Sequence, residues 1–316
     1  EEVGLEGAFA LDCSDLKGRK LVNLDSEEEG VFTVSCAGGV RMDGFLPGTD
    51  APLNGEAGYE IALEGLLGGH SGGKIHKGRA SANQVMGRVL YSALERFPGL
   101  RLAGIRGGKF DNVICSRNHA KAAVPVDRAG EFEAFIREFD GALKNEYAGC
   151  DGGITLSCEK TALDGALSPE ATANVLRTLL AVPQGVQAMN VDFPGLVQTS
   201  LNMGVIEKKE DGICFGVSVR SCIATQKDMM VQRLKAILEL GGGTFTLRGN
   251  YPGWQYDRNS TLREAVLAAY QAVCGKEGTI EATHGGLECG LFIDKLPGLD
   301  AVSFGPELHD VHSVKE

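Results

Sequence analysis

The sequence predicts an α/β protein in which the two ends of the chain build a mixed sheet with flanking helices, and the middle is an inserted α+β unit. Three observations predict this. Strand-like and helix-like stretches alternate through most of the chain. The middle runs twice through a βαββα-like pattern, a repeat of pattern and not of identity. Chemistry-bearing residues also stand at both extremes, with Glu1, Glu2 and Asp25 near the start and His312 near the end. They meet only if residues before ~40 and after ~250 form one unit. The expected division is 1–40 and 250–316 for that unit and 41–249 for the insert.

Taken in order, Gly4–Leu11 reads as a short helix with Leu5, Phe9 and Leu11 inward. Lys20–Leu24 reads as a buried strand, with Leu21, Val22 and Leu24 in the core, that delivers Asp25, Glu27, Glu28 and Glu29 at its C-terminal end. Ligands gather at such strand ends in open α/β sheets. Read alone, the stretch also fits a solvated acidic loop. Another strand starts at Val31, and Gly38-Gly39 breaks its pattern, which is where the chain is expected to cross into the insert.

In the first middle unit, strand Tyr59–Glu64 leads to a helix over Ala82–Arg96 and to strands at Arg101–Ile105 and Val113–Pro125. Its closing helix, Glu131–Tyr147, carries Phe132, Phe135, Ile136, Phe139 and Leu143 on one side. The second unit has strands at Gly153–Cys158, Gln187–Val191, Gln198–Glu207 and Gly212–Ser221. Ser168-Pro169 opens its first helix as an N-cap and first-turn pair. Thr225-x-x-Asp228 reads as a capping box for the second, with Met230, Leu234, Ile237 and Leu238 inward. The two units imply two packed helix-on-sheet layers. Strand Thr244–Leu247 and the turn-rich Asn250–Trp254 lead back out of the insert. Helix Thr261–Cys274, with Leu262, Val266, Tyr270 and Val273 inward, stops at Gly275. Strand Gly278–Thr283, the Gly285-Gly286 turn, a short helix and strand Asp300–Phe304 complete the pattern.

Composition narrows the function class. A net charge of −11 argues against nucleic acid or an anionic membrane as partner. No apolar run approaches the ~20 residues that cross a bilayer. Nine cysteines without zinc-ribbon spacing predict reduced thiols in a cytoplasmic protein.

Several residues are candidates on their own chemistry. Two adjacent carboxylates, a third about a strand away and a distant histidine make a set able to hold a metal and keep one carboxylate for proton transfer. His70 lies among glycines that leave its imidazole accessible. Arg220 ends an apolar strand, where a guanidinium suits a bidentate carboxylate or a surface ion pair. The backbone N–H groups of Gly285 and Gly286 are candidates for an anion nest that takes a substrate carboxylate. Asn118 is a further substrate-contact candidate.

Five motifs occur in order: Glu1-Glu2-Val3-Gly4, Asn23–Gly30, Gly68–Ala80 with its Gly-Gly-His-Ser-Gly-Gly core, Glu281–Gly290, and Asp310-Val311-His312-Ser313. Together the chain resembles the aminoacyl-histidine dipeptidases, the Xaa-His, carnosine-cleaving branch of the co-catalytic zinc aminopeptidase and carboxypeptidase superfamily. The resemblance implies two zinc ions, with manganese or cobalt as substitutes. It also implies Glu1 as general base, Glu2 and His312 as ligands of one ion, and Asp25 as ligand of the other. His70 becomes a lid histidine that supports the oxyanion, and Arg220 the holder of the substrate C-terminus. The insert becomes a lid and dimerisation domain, so a homodimer acting on small peptides is expected. The family's first zinc histidine, its neighbouring aspartate and the bridging aspartate lie upstream of the Glu-Glu pair. The chain is therefore expected to be part of a longer enzyme, truncated at both ends and inactive alone. A sister aminoacylase or tripeptidase and a non-catalytic dimerisation fragment are the alternatives.

Overall fold

Two sheets meet at Ala37 in the computed structural model, which describes residues 5–309. Glu1, Glu2 and His312 lie outside the described residues. Helix α1 (Glu6–Ala10) precedes β1 (Lys20–Asn23) and β2 (Val31–Cys36). Beyond Ala37 come β3 (Gly38–Pro47), β4 (Asp50–Ala51), β5 (Glu56–Glu64), β6 (Gly69–His70) and the one-turn α2 (Ser71–Lys74). Helix α3 (Ala82–Arg96), strands β7 (Arg101–Gly107), β8 (Val113–Ile114) and β9 (Asn118–Pro125), and helix α4 (Ala129–Glu146) follow. Next are β10 (Thr155–Lys160), β11 (Ala166–Leu167), α5 (Pro169–Ala181), β12 (Gly185–Met189), β13 (Val197–Lys208), β14 (Gly212–Ser221) and α6 (Ala224–Leu240). The chain continues through β15 (Thr244–Tyr251), α7 (Thr261–Cys274), β16 (Thr279–Thr283), α8 (Glu288–Lys295) and β17 (Asp300–Ser303).

The smaller sheet has four strands in the order β1-β17-β2-β16 and draws on both ends of the chain. It is mixed: β1 is parallel to β17, β2 is parallel to β16, and β17 meets β2 antiparallel. Here β1 departs from expectation, because as an edge strand it leaves Val22 45% and Leu24 65% exposed. Helix α1 forms but buries none of its residues, and Phe9 and Leu11 stay open. Its last carbonyls are held by Lys295 Nζ, which donates to Ala8, Phe9 and Leu11. Helix α7 buries Leu262 but leaves Val273 exposed, along with the rest of its final turn.

The larger sheet has nine strands, ordered β10-β5-β9-β7-β13-β14-β3-β15 with β12 also on β13. The two expected units lie edge to edge in this one sheet, not in two layers. Strand β10 sits beside β5 in the first half, and β3, which starts at Gly38-Gly39, completes the second. The halves join where Ile206 and Glu207 of β13 pair with Gly107 and Arg106 of β7. Helices α3 to α6 share one continuous core with this sheet. Its aromatic centre sets Phe132 5.0 Å from Tyr59 and 5.6 Å from Phe97, ring centre to ring centre. Ser168 caps α5 by accepting the Ala171 N–H at 3.1 Å. The capping box at Thr225 does not form, because α6 starts at Ala224 and puts both of its residues inside the helix.

Candidate functional site

The core-packed face of the larger sheet takes the apolar residues of each strand, so the alternate residues face the other way. On β14, Ile213, Phe215, Val217 and Val219 enter the core, which turns Arg220 to the opposite face. Cross-strand pairing sets Ser200 of β13 directly beside Arg220. That register depends on a one-residue irregularity between Met203 and Val205, since a one-residue slip would bring Leu201 to that place.

His284 follows β16 and reaches this pair from the smaller sheet. It is 6% exposed, and its Nε2 lies 2.8 Å from Ser200 Oγ. Its Nδ1 is buried and has no hydrogen-bond partner. Burial, reinforced by the Arg220 charge, lowers the His284 pKa to about 4, so the ring is neutral at physiological pH. The half-buried Arg220 is held at Nη1 by Tyr251 Oη at 3.2 Å, while its Nε is buried without a partner. Tyr251 lies close against Gly39 and Gly286: a Cβ on either would come 2.7 or 2.8 Å from its ring. Lys227 Nζ then holds the Tyr251 carbonyl at 2.7 Å.

His70 stands on the other side of the same cleft, a space of about 390 Å³ that His70, His76, Thr283 and His284 help to line. Its Nδ1 accepts the Gly73 N–H at 3.2 Å and so caps α2. A neutral ring then carries its proton on Nε2, which is left free to donate. Burial, with the Arg220 charge second, lowers its pKa as well. A Cβ on Gly72 would stand 2.9 Å from His70 Cε1 and 3.5 Å from the His284 carbonyl, so the glycine loop fits between the two histidines. Thus His70 from the separate two-stranded β6-β8 pair, Arg220 from the nine-stranded sheet and His284 from the smaller sheet stand near one another within one chain.

Other candidates stand elsewhere. Asn118 is fully buried and donates to Asn83 Oδ1 at 2.9 Å, inside the helix-facing side of the sheet and away from this cleft. Gly285 lines the cleft, but its N–H donates to Thr283 Oγ1, and neither Gly285 nor Gly286 has the positive φ of a nest. Asp25 is exposed just past β1, at the end of the smaller sheet where β2 begins, whereas His284 lies where β2 finishes. The six residues of β2 span roughly 20 Å at about 3.3 Å each. Among the described residues no group of three or more His, Cys, Asp or Glu side chains is placed to hold a metal. Those residues therefore do not by themselves make a metal centre. In a larger groove of about 950 Å³ the two arginines are already paired, Arg248 with Asp43 and Asp111, and Arg41 with Asp111.

Comparison with known proteins agrees with the motif order. Residues 61–150 match the model of the peptidase dimerisation domain. The whole chain is 36% identical to 65% of the cytosol non-specific dipeptidase of Escherichia coli (strain K12). Ninety-seven per cent of it superposes on 63% of the aminoacylhistidine dipeptidase of Vibrio alginolyticus, at a TM-score of 0.91 and 34% identity. The chain thus spans a little under two thirds of the length of these relatives. Similarity of sequence to the Escherichia coli dipeptidase and of structure to the Vibrio alginolyticus dipeptidase thus runs along the full length of this chain.

Proposed function

We propose that this chain is part of a metal-dependent cytosolic dipeptidase that cleaves Xaa-His dipeptides, and that the cleft between its two sheets receives the substrate's C-terminal end. The observation that carries this reading is Arg220: a half-buried guanidinium with one hydrogen bond, no carboxylate partner among the described residues, and two imidazoles beside it whose pKa values are lowered by burial first and by its charge second. An uncompensated charge in such a place is stabilised by an anion that arrives with the ligand. His70, with Nε2–H free, is suited to donate to an oxyanion that develops on the peptide carbonyl.

The metal part of the reading rests on the family. Asp25, Glu2 and His312 are its ligands and Glu1 its general base, with zinc as the ion. Because the described residues do not assemble that centre, the chemistry derived from this chain is confined to holding the substrate and its oxyanion. The domain division 1–40, 41–249 and 250–316 belongs to the same proposal. It is supported by the change of sheet at Ala37 and again after Tyr251. A homodimer through the 41–249 unit is supported by the dimerisation-domain match. A cytosolic setting is supported by the name of the Escherichia coli relative and by nine free thiols.

The test is a panel of dipeptides, amidated dipeptides, N-acyl amino acids and tripeptides offered to the enzyme before and after chelation and zinc return. The proposal expects zinc-restored hydrolysis that favours Xaa-His with a free carboxylate. Preference for N-acyl amino acids or tripeptides would move the enzyme to a sister class. Activity that survives full chelation would remove the metal.

A further inference from the structure

Ser200 and His284 form a buried pair that no part of the reading above uses. Ser200 is 2% exposed and its hydroxyl is directed at His284 Nε2. A serine fixed beside one ring nitrogen sets what the other nitrogen does. If the hydroxyl donates, Nε2 is an acceptor and Nδ1 carries the ring proton. That places two buried donors without partners, His284 Nδ1–H and Arg220 Nε–H, on groups that both adjoin Ser200, with His284 lining the cleft. A buried donor left without an acceptor destabilises the fold, so an unpaired couple in a folded protein calls for an occupant.

We infer that His284, held in its Nδ1–H form by Ser200, is a second docking group for the carboxylate that Arg220 receives, and so is a residue that sets specificity for a free C-terminus. The inference rests on the reading of Arg220 as a carboxylate site. A neutral donor suits the task better than a second cation. It adds a directed hydrogen bond and no extra positive charge that must be neutralised when the cleft is empty. Both donor atoms are covered from solvent, so the ligand enters as the glycine loop over His284 gives way. Gly68 and Gly69, at φ 60 and 130, supply the backbone freedom for that movement.

The probes are N-acetyl-L-histidine and its carboxamide, whose binding to the protein is measured by calorimetry, so that neither metal nor turnover enters. The unaltered protein should prefer the acid. His284→Phe should reduce that preference by about tenfold, the worth of one hydrogen bond to a charged group. His284→Gln, which keeps an N–H donor, should recover most of it, and Ser200→Ala should fall between. Nitrogen-15 spectra should show His284 protonated at Nδ1 and a mixture of ring forms in Ser200→Ala. If Arg220→Ala abolishes the preference while the His284 and Ser200 variants keep it, the inference fails and the Arg220 reading stands. A His284 ring protonated at Nε2 overturns the inference as well. If the unaltered protein binds acid and amide equally, both fall.

Discussion

His284 shows how one residue couples the site to stability. Its folded pKa, about 4, lies below the 6.5 of an unfolded histidine, so between those values the unfolded chain binds more protons. Stability is therefore full above about pH 6.5, is lost as pH falls, and levels off below about 4, with a total near 3 kcal/mol. Chemical denaturation of the wild type and His284→Gln at pH 7 and pH 4.5 checks this: the wild type should lose more than the variant across that interval. Equal losses would show that another group governs the acid limb. Arg220 at a strand end and His70 among glycines were legible from local sequence as candidate residues. Ser200 was not, because its place beside Arg220 depends on a bulge at Gly204 in β13, and that glycine inside a strand is the one signal of it in the sequence. The role of His284 was hidden for a similar reason. Its partner lies 84 residues away on the other sheet.

At the scale of elements, most boundaries follow from the chain itself. Helices α3 and α7 and strand β14 begin and end where periodicity and capping residues place them. The misreadings concern what each element meets. Strand β1 has the apolar composition of a core strand yet lies at a sheet edge, and α6 starts two residues too early for its capping box. The α4 stripe was legible because its partners are large and apolar, and it supports a direct test. Phe132, fully buried among Tyr59, Phe97 and Phe135, should cost about 3–5 kcal/mol when replaced by Ala. A loss under 1 kcal/mol in denaturant unfolding would contradict the packing. Arg101 is the polar counterpart. It is 5% exposed, donates to the carbonyls of Ala51, Pro52, Ala166 and Leu167, and pairs with Glu56 at 3.0 Å. Arg101→Leu removes all five of these interactions and should cost about 3–5 kcal/mol, because it leaves a mostly buried carboxylate without its cation. Near-wild-type stability would show that β4 and β11 do not need the clamp.

For the whole molecule, the repeat of pattern was readable but its assembly was not, since a single-sheet and a two-layer arrangement share the same alternation of elements. The seam through Ile206 and Glu207 decides it, and those residues look like any other strand positions. One sheet backed by one helix layer has a core of its own, so residues 41–249 are expected to fold when expressed alone and to sediment as a dimer. A folded monomer at high concentration would refute the dimer, and an unfolded product would refute the division. The central claim is that His70, which lines the cleft, and Arg220, whose charge reaches it from β14, act on the substrate and not on a metal. The most direct measurement is carnosine hydrolysis by the full-length enzyme bearing His70→Ala or Arg220→Ala, with zinc content determined for each. The account predicts that His70→Ala lowers kcat by ~10² to 10³ with little change in KM, that Arg220→Ala chiefly raises KM, and that both keep the wild-type zinc content. Loss of zinc in either variant, or near-normal kcat in His70→Ala, would contradict it.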